Sequence, residues 1–422
     1  MRSPLGAFLF VVLLLLIDTY VFQSLKTVTA GSATRTRQWI YAAYWLVSVL
    51  VISGFVLFAA TKPGLLPKAF RTYMFAIVVG LFLAKLVAVV FVFLDDVRRA
   101  VTWVVLKLAK LGSESADTGP EDGITRSVFL SWLGLAAGST LFGTLLYGFG
   151  NKHKYQIKRV PLYFENLPLS FDGLKVIQIS DIHSGSFTSK EGVEKGIDLI
   201  LAEKPDLILF TGDLVNDMAS EMEPWEALFS RLKAPMGVYS TLGNHDYGDY
   251  VRWPINGVSK EENLHRLKQL QARMGWRLLM NEHVALTRGG ESIALLGIEN
   301  WSAKGRFPKH GRMDLAYPGT EHYPFKILMS HDPSHWEAEV QQKYGAIDLM
   351  LSGHTHGMQF GIEIPGFKWS PVQYMYKQWA GLYTKGRQHL YVNRGFGFIG
   401  YPGRVGILPE ISVLELHHAK TK

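Results

Sequence analysis

The sequence contains no cysteine in its 422 residues. That absence excludes a disulfide framework, a thiolate nucleophile and a zinc-thiolate site, so any bound metal has to be held by His, Asp, Glu or Asn. Charge is scarce as well: Asp, Glu, Lys and Arg make up 19% of the chain, against a usual share of about 25%. With 48% hydrophobic residues, this composition rules out a disordered or collagen-like chain and points toward a membrane. The 44 Lys and Arg exceed the 36 Asp and Glu by 8, but they are scattered, with no basic helix or aromatic stacking motif. No nucleic-acid partner is therefore expected, and no protein partner is predicted. Internal repeats and low-complexity tracts are missing too.

What is present divides near Gly150. Residues 5–25, 40–60, 72–94 and 127–149 are each apolar for about the 20 residues that cross a hydrocarbon core. A single cleavable signal peptide cannot account for four such runs. Residues 1–150 are thus expected to be a transmembrane domain of four helices. An amphipathic surface helix near 96–111 is expected to set Val97, Val101, Val104, Val105, Leu108 and Leu111 opposite Arg98, Arg99, Lys107 and Lys110, on an anionic cytoplasmic leaflet. Thr125-Arg126-Ser127-Val128-Phe129-Leu130 resembles a twin-arginine export signal, with Ser127 where the second arginine should be. Both features place everything after Gly150 of a multi-pass inner-membrane protein on the periplasmic side, with membrane lipids as partners. Asp18 and Lys85 fall at similar depth in spans one and three, so they are expected to pair.

From Leu174 onward short β-rich runs alternate with helical ones. Strands are predicted at 174–179, 207–210, 238–241, 293–298, 326–329, 349–351, 389–392 and 411–416, with helices near 190–203 and 224–232. This is the pattern of an α/β domain, residues 151–422, entered through a short basic linker at 151–158.

Polar residues cluster where the predicted strands end. Asp181-Ile182-His183, Gly212-Asp213, Gly243-Asn244-His245-Asp246, His331 and Gly353-His354-Thr355-His356 each follow one. Residues two apart on an extended backbone share a face, so Asp181 converges with His183 and His354 with His356. Five segments are expected to deliver ligand-type side chains to the carboxyl edge of one sheet.

The order and spacing of these motifs resemble the calcineurin-like metallophosphoesterase superfamily over residues 174–416. Within it the chain is similar to the membrane-tethered YkuE-like branch and the transmembrane proteins with a metallophosphoesterase domain. The resemblance implies a four-layer α/β/β/α sandwich. It also implies two divalent metal ions, one held by Asp181, His183 and His356, the other by Asn244, His331 and His354, with Asp213 bridging. Two such ions about 3.5–4 Å apart need a shared carboxylate, and sulfur-free nitrogen and oxygen ligands suit Mn, Fe or Zn. His245, on an extended turn after Asn244, is expected to point away from the metal and act as general acid, oriented by Asp246 or Asp217. Asn216 stands where phosphoprotein phosphatases of the superfamily carry Asp.

The expected reaction is in-line attack on a phosphate ester or pyrophosphate by a hydroxide bridging the metals. Arg394, in the glycine-rich run Asn393-Arg394-Gly395-Phe396-Gly397, is a candidate phosphate ligand. Phe360, Phe367, Trp369, Tyr374, Tyr376, Trp379 and Tyr383 follow the last metal motif and suit a lipid-linked or cell-envelope substrate. Two alternatives remain open: a cytoplasmic-face UDP-2,3-diacylglucosamine pyrophosphate hydrolase of lipid A synthesis, as found among family members, and a non-catalytic receptor or scaffold on the same fold.

Overall fold

A computed structural model describes residues 4–61, 66–109, 125–305 and 307–419. The chain divides into two compact units, Met1–Tyr147 and Gly148–Lys422.

The first unit is helical: α1 (Pro4–Val28), α2 (Thr34–Ala60), α3 (Lys68–Ala109) and α4 (Arg126–Gly148). Each is long and apolar enough to cross a membrane. A helix satisfies its own backbone polar groups, which hydrocarbon cannot do, so long apolar runs fold this way. Many large side chains face outward, among them Leu5, Phe8, Leu46 and Leu50. Inside the unit, Lys85 of α3 donates to the carboxylate of Asp18 in α1 and lies 3.0 Å from Ser48 Oγ of α2. The stretch expected to be a separate surface helix instead prolongs α3. Nothing breaks the helix there, since residues 81–109 contain no Gly or Pro. Asp95 pairs with Arg98 at 2.8 Å and Arg99 at 3.4 Å, bracing that junction one turn on. Lys110 and Leu111 of that expectation lie outside the described residues.

The second unit holds strands β1 (Gln156–Phe164), β2 (Leu174–Ile179), β3 (Leu207–Phe210), β4 (Val238–Ser240), β5 (Arg277–Leu278), β6 (Glu282–Arg288) and β7 (Glu291–Gly297). They are followed by β8 (Lys326–Met329), β9 (Leu349–Ser352), β10 (Ile362–Ile364), β11 (Phe367–Trp369), β12 (Gly381–Lys385), β13 (Gln388–Val392) and β14 (Glu410–His418). One sheet runs β1-β14-β2-β3-β4-β5, the other β12-β13-β9-β8-β7-β6, and β10-β11 is a separate antiparallel hairpin. Strands β2 to β5 are mutually parallel, as are β7, β8, β9 and β13.

The inner faces of the two sheets share one core. Val176, Leu209, Leu295, Ile327, Leu351 and Leu414 are all buried in it. On β2 the alternate residues Ile177 and Ile179 turn the other way, onto Val193 and Ile197 of α5 (Lys190–Ala202), Phe229 of α6 (Glu226–Phe229) and Leu267 of α7 (Lys260–Arg273). The outer face of the second sheet is covered likewise around Trp336 and Val340. The result is a four-layer α/β/β/α arrangement. Strands buried on both faces carry no regular polar alternation: β3 is wholly apolar, and β8 and β9 are apolar but for Lys326 and Ser352 at their ends. For that reason the expectation of a single sheet edge is corrected: β2, β3 and β4 belong to one sheet, β8 and β9 to the other.

Candidate metal centre

The five motifs meet where these strands end. Asp181 follows β2, Asp213 follows β3, Asn244 follows β4, His331 follows β8 and His354 follows β9. Backbone bonds tie the loops together, Asp181 N–H to Gly212 C=O at 2.9 Å and Gly353 N–H to His331 C=O at 2.9 Å.

The backbone here is not extended as expected. Asp181, His183, Asp213, His354 and His356 all take positive φ, at 53°, 47°, 62°, 69° and 51°. Asp and His tolerate this left-handed region better than most side chains, and such strain concentrates at functional sites. These turns, and not strand pleating, make the pairs converge. Asn244 has φ −69° and begins a short helical turn at His245–Tyr247, which corrects the extended turn expected there. Glycine is needed at Gly395, whose φ is +84° and where a Cβ would sit 2.9 Å from His356 Nδ1.

Two groups of ligand-type atoms result, Asp181 with His183 and His356, and Asp213 with His331 and His354. Asp213 Oδ2 links them, lying 3.5 Å from His183 Nε2 and 3.1 Å from His331 Nε2. Asp181 Oδ1 is 3.2 Å from His356 Nε2. The buried atoms His183 Nδ1 and Nε2, His356 Nε2 and Asn244 Oδ1 lack a hydrogen-bond partner.

Neighbouring groups fix two of the imidazoles. His331 Nδ1 lies 2.7 Å from the Thr211 carbonyl, which can only accept, so that nitrogen carries a proton. Tyr376 donates its hydroxyl to Asp332 Oδ2 at 3.2 Å and accepts from His354 Nε2 at 2.8 Å. His354 therefore turns a bare Nδ1 toward His331 Nε2, 3.3 Å away. Unsatisfied buried acceptors cost roughly 1–3 kcal/mol each. Several aimed at one place, together with two carboxylates, match what a divalent cation requires.

The electrostatics agree. Burial by itself would raise the Asp181 carboxyl, but His356 beside it holds it well below the usual range. Asp213 is likewise held low by His331 against the opposing effect of burial. Burial pushes His331 down, and the Asp213 charge more than reverses this, lifting it to about 10, so a metal binding at Nε2 would have to displace a proton held there by Asp213. Burial keeps His183 and His354 neutral.

His245 lines the same cavity, of about 430 Å³. Its orientation comes from the main chain and not from Asp246. Its Nδ1 donates to the carbonyl of Asn216 at 2.7 Å, leaving Nε2 free of that bond. Asp246 is buried and accepts from the backbone N–H groups of Asp213, Leu214 and Gly243 at 2.8–2.9 Å, clamping two loops. Burial first, then Asp213, lifts its carboxyl to about 7.

Arg394 is not delivered to the cavity. Its guanidinium is buried against Glu410 and lies 2.8 Å from Glu363, because two carboxylates in a dry site hold it more strongly than open solvent would. The glycine-rich run nevertheless reaches the centre through its backbone, Gly397 N–H donating to Asp181 C=O at 2.9 Å. Of the aromatics after the last motif, Tyr376 and Trp379 are core residues, and Phe367 and Tyr374 are exposed. Sequence reasoning missed Tyr376 with Asp332 as a clamp on His354, and Tyr250, whose hydroxyl accepts from the Asn244 amide at 2.7 Å. The adjacency His331-Asp332 was the one visible signal.

A fold of stacked mixed sheets with ligand clusters at its strand ends defines the class, and comparison with known proteins agrees. Residues 174–358 match the family described as "Calcineurin-like phosphoesterase", and residues 1–152 the one described as "Probable Calcineurin-like phosphoesterase, transmembrane domain". "Uncharacterized metallophosphoesterase YkuE" of Bacillus subtilis is 31% identical over 258 residues, 59% of this chain and 81% of that one. "Transmembrane protein with metallophosphoesterase domain" of Danio rerio is 30% identical over 269 residues, 62% of this chain and 57% of the relative. "Phosphodiesterase YaeI" of Escherichia coli is 28% identical over 244 residues, 57% and 82% of the respective chains. The chain belongs to the calcineurin-like phosphoesterase family.

Proposed function

We propose that this protein is a metal-dependent hydrolase of a phosphate ester or pyrophosphate bond in a lipid-linked or cell-envelope substrate. The observation that carries this reading is the linked pair of ligand groups, with Asp213 facing both. In it Asp181, His183 and His356 would hold one divalent ion and Asn244, His331 and His354 the other, with Asp213 shared between them. Bound there, Mn, Fe or Zn would supply Lewis-acid polarisation of phosphoryl oxygens and a water of lowered pKa.

The chain's own residues do the rest. The Thr211 carbonyl and the Tyr376–Asp332 pair keep His331 and His354 in the right tautomers. Tyr250 holds the Asn244 amide so that its oxygen faces inward. His245, anchored through Nδ1, offers Nε2 as the group that protonates the leaving oxygen. Phe307, Met358, Met375 and Ile399 form apolar parts of the cavity wall, which favours an amphiphilic substrate.

The catalytic unit is read as extracytoplasmic. Support comes from Arg98 and Arg99 in the last third of α3 and Arg126 at the start of α4, basic residues at the facing ends of the two helices that favour the cytoplasmic side. A screen of full-length protein against phosphomonoesters, diesters and lipid pyrophosphates, with each metal, tests the activity. Turnover restricted to amphiphilic phosphates supports the reading, and no turnover with any metal favours a scaffold. A reporter after Lys422 active only in the cytoplasm would favour the nucleotide-linked lipid precursor instead.

A further inference from the structure

The hairpin β10–β11 has two unlike faces. Ile362 stands opposite Trp369 and Ile364 opposite Phe367, so these four side chains share one face, while Glu363 and Lys368 share the other. The charged face is bound to the body of the unit. Glu363 pairs with Arg394 at 2.8 Å and with Lys158 at 3.3 Å, and Lys368 donates to the Ala380 carbonyl. The apolar face is open: Ile362, Ile364 and Phe367 are 50%, 58% and 52% exposed. Pro365 and Gly366 close the turn, so no backbone donor at Pro365 needs water there.

An open apolar face of this kind in water invites association. The bonds at its root indicate with what. Gly361, just before β10, donates to Val405, and the adjoining Arg404 N–H donates to Gly148, the residue at which α4 ends. Chain geometry therefore keeps Ile362 within roughly 20 Å of the end of a membrane-crossing helix. At the other end of the approach Met358, 47% exposed, belongs to the wall of the catalytic cavity.

We propose that the β10–β11 hairpin is a lipid-docking element: Ile362, Ile364, Phe367 and Trp369 enter the interface of the bilayer that the chain's own helices cross, and hold the mouth of the cavity at the head groups. Docking itself stands independently of the proposed function. Its consequence, that substrate enters from the membrane plane, rests on the lipid-linked reading.

Because the chain has no cysteine, Ile364→Cys and Phe367→Cys each introduce a single thiol. Each is labelled with an environment-sensitive fluorophore in full-length protein reconstituted in phosphatidylethanolamine and phosphatidylglycerol vesicles. Gln269→Cys, at an exposed position on the outer face of α7, is the control. Docking gives blue-shifted emission at 364 and 367, quenched by acyl-chain doxyl lipids and shielded from aqueous iodide, with the reverse at 269. Iodide reaching all three labels equally overturns it, as does shielding from both quenchers, which would mean a protein covers the face. In parallel, Phe367→Asp is expected to slow hydrolysis of vesicle-borne phosphatidic acid or polyprenyl pyrophosphate roughly tenfold or more, leaving p-nitrophenyl phosphate unchanged, since a carboxylate resists entering lipid. Lipid-facing labels with no such selectivity keep the docking and remove the lipid-linked substrate.

Discussion

Lys85 in α3 donates to the carboxylate of Asp18 in α1, and Ser48 of α2 lies within 3.0 Å of the same ammonium. Three helices thus share one polar contact inside an apolar unit. Tyr44 adds its hydroxyl, donating to the Asp18 carbonyl at 2.8 Å.

Lys85→Leu leaves Asp18 buried and uncompensated, so folded yield should fall steeply. Breaking one side of a buried pair costs about 3–5 kcal/mol in soluble proteins. The double variant Asp18→Leu with Lys85→Leu should recover most of that yield. Size-exclusion recovery from detergent checks this, and a double variant as poor as the single one would contradict it.

Asp213→Ala removes the carboxylate that faces both ligand groups. Metal content per chain, measured by mass spectrometry, is expected to fall for both ions, with hydrolysis abolished. Asn244→Ala leaves Asp181, His183 and His356 in place and should retain about half the metal.

His245→Ala should keep its metal and lose rate by about 10²–10⁴. The loss should be greater for alkyl phosphates than for p-nitrophenyl phosphate, whose leaving group needs no proton. Equal losses would remove the acid role.

Tyr376→Phe deprives His354 Nε2 of its partner. Metal affinity is expected to drop about 10–100-fold, read by direct metal titration, as for other groups that orient a metal-binding imidazole. An unchanged affinity would show that His354 is held by its turn alone.

His153 gives a pH signature. Burial, and to a lesser degree Lys152, pushes its imidazole down to about 4. Its Nε2 is buried without a partner, among Tyr155, Phe187 and Phe398. The unfolded chain binds its proton more readily, so stability is unaffected above about pH 6.5 and is lost as pH falls toward 4. The bound on this loss is about 3 kcal/mol. His153→Phe should melt with less dependence on pH over that range, and parallel pH profiles would show that His153 is not responsible.

The sequence by itself determined the membrane-crossing runs, because apolar length in lipid admits only a helix. It also determined β2, β3 and β8, found at the residues expected, and the five motifs that gather at the strand ends. Local chemistry decides those features. The amphipathic continuation after Asp96 was legible as a helix but not as part of α3, since helical periodicity does not record where one helix stops. Only the tertiary structure decided that the motifs come from two stacked sheets, because strands buried on both faces look alike in sequence. It alone showed that Arg394 is captured by Glu410 and Glu363 and that His245 leans on a carbonyl. Those partners lie 16 to 31 residues away along the chain, beyond any local pattern, and a main-chain carbonyl carries no residue type to read.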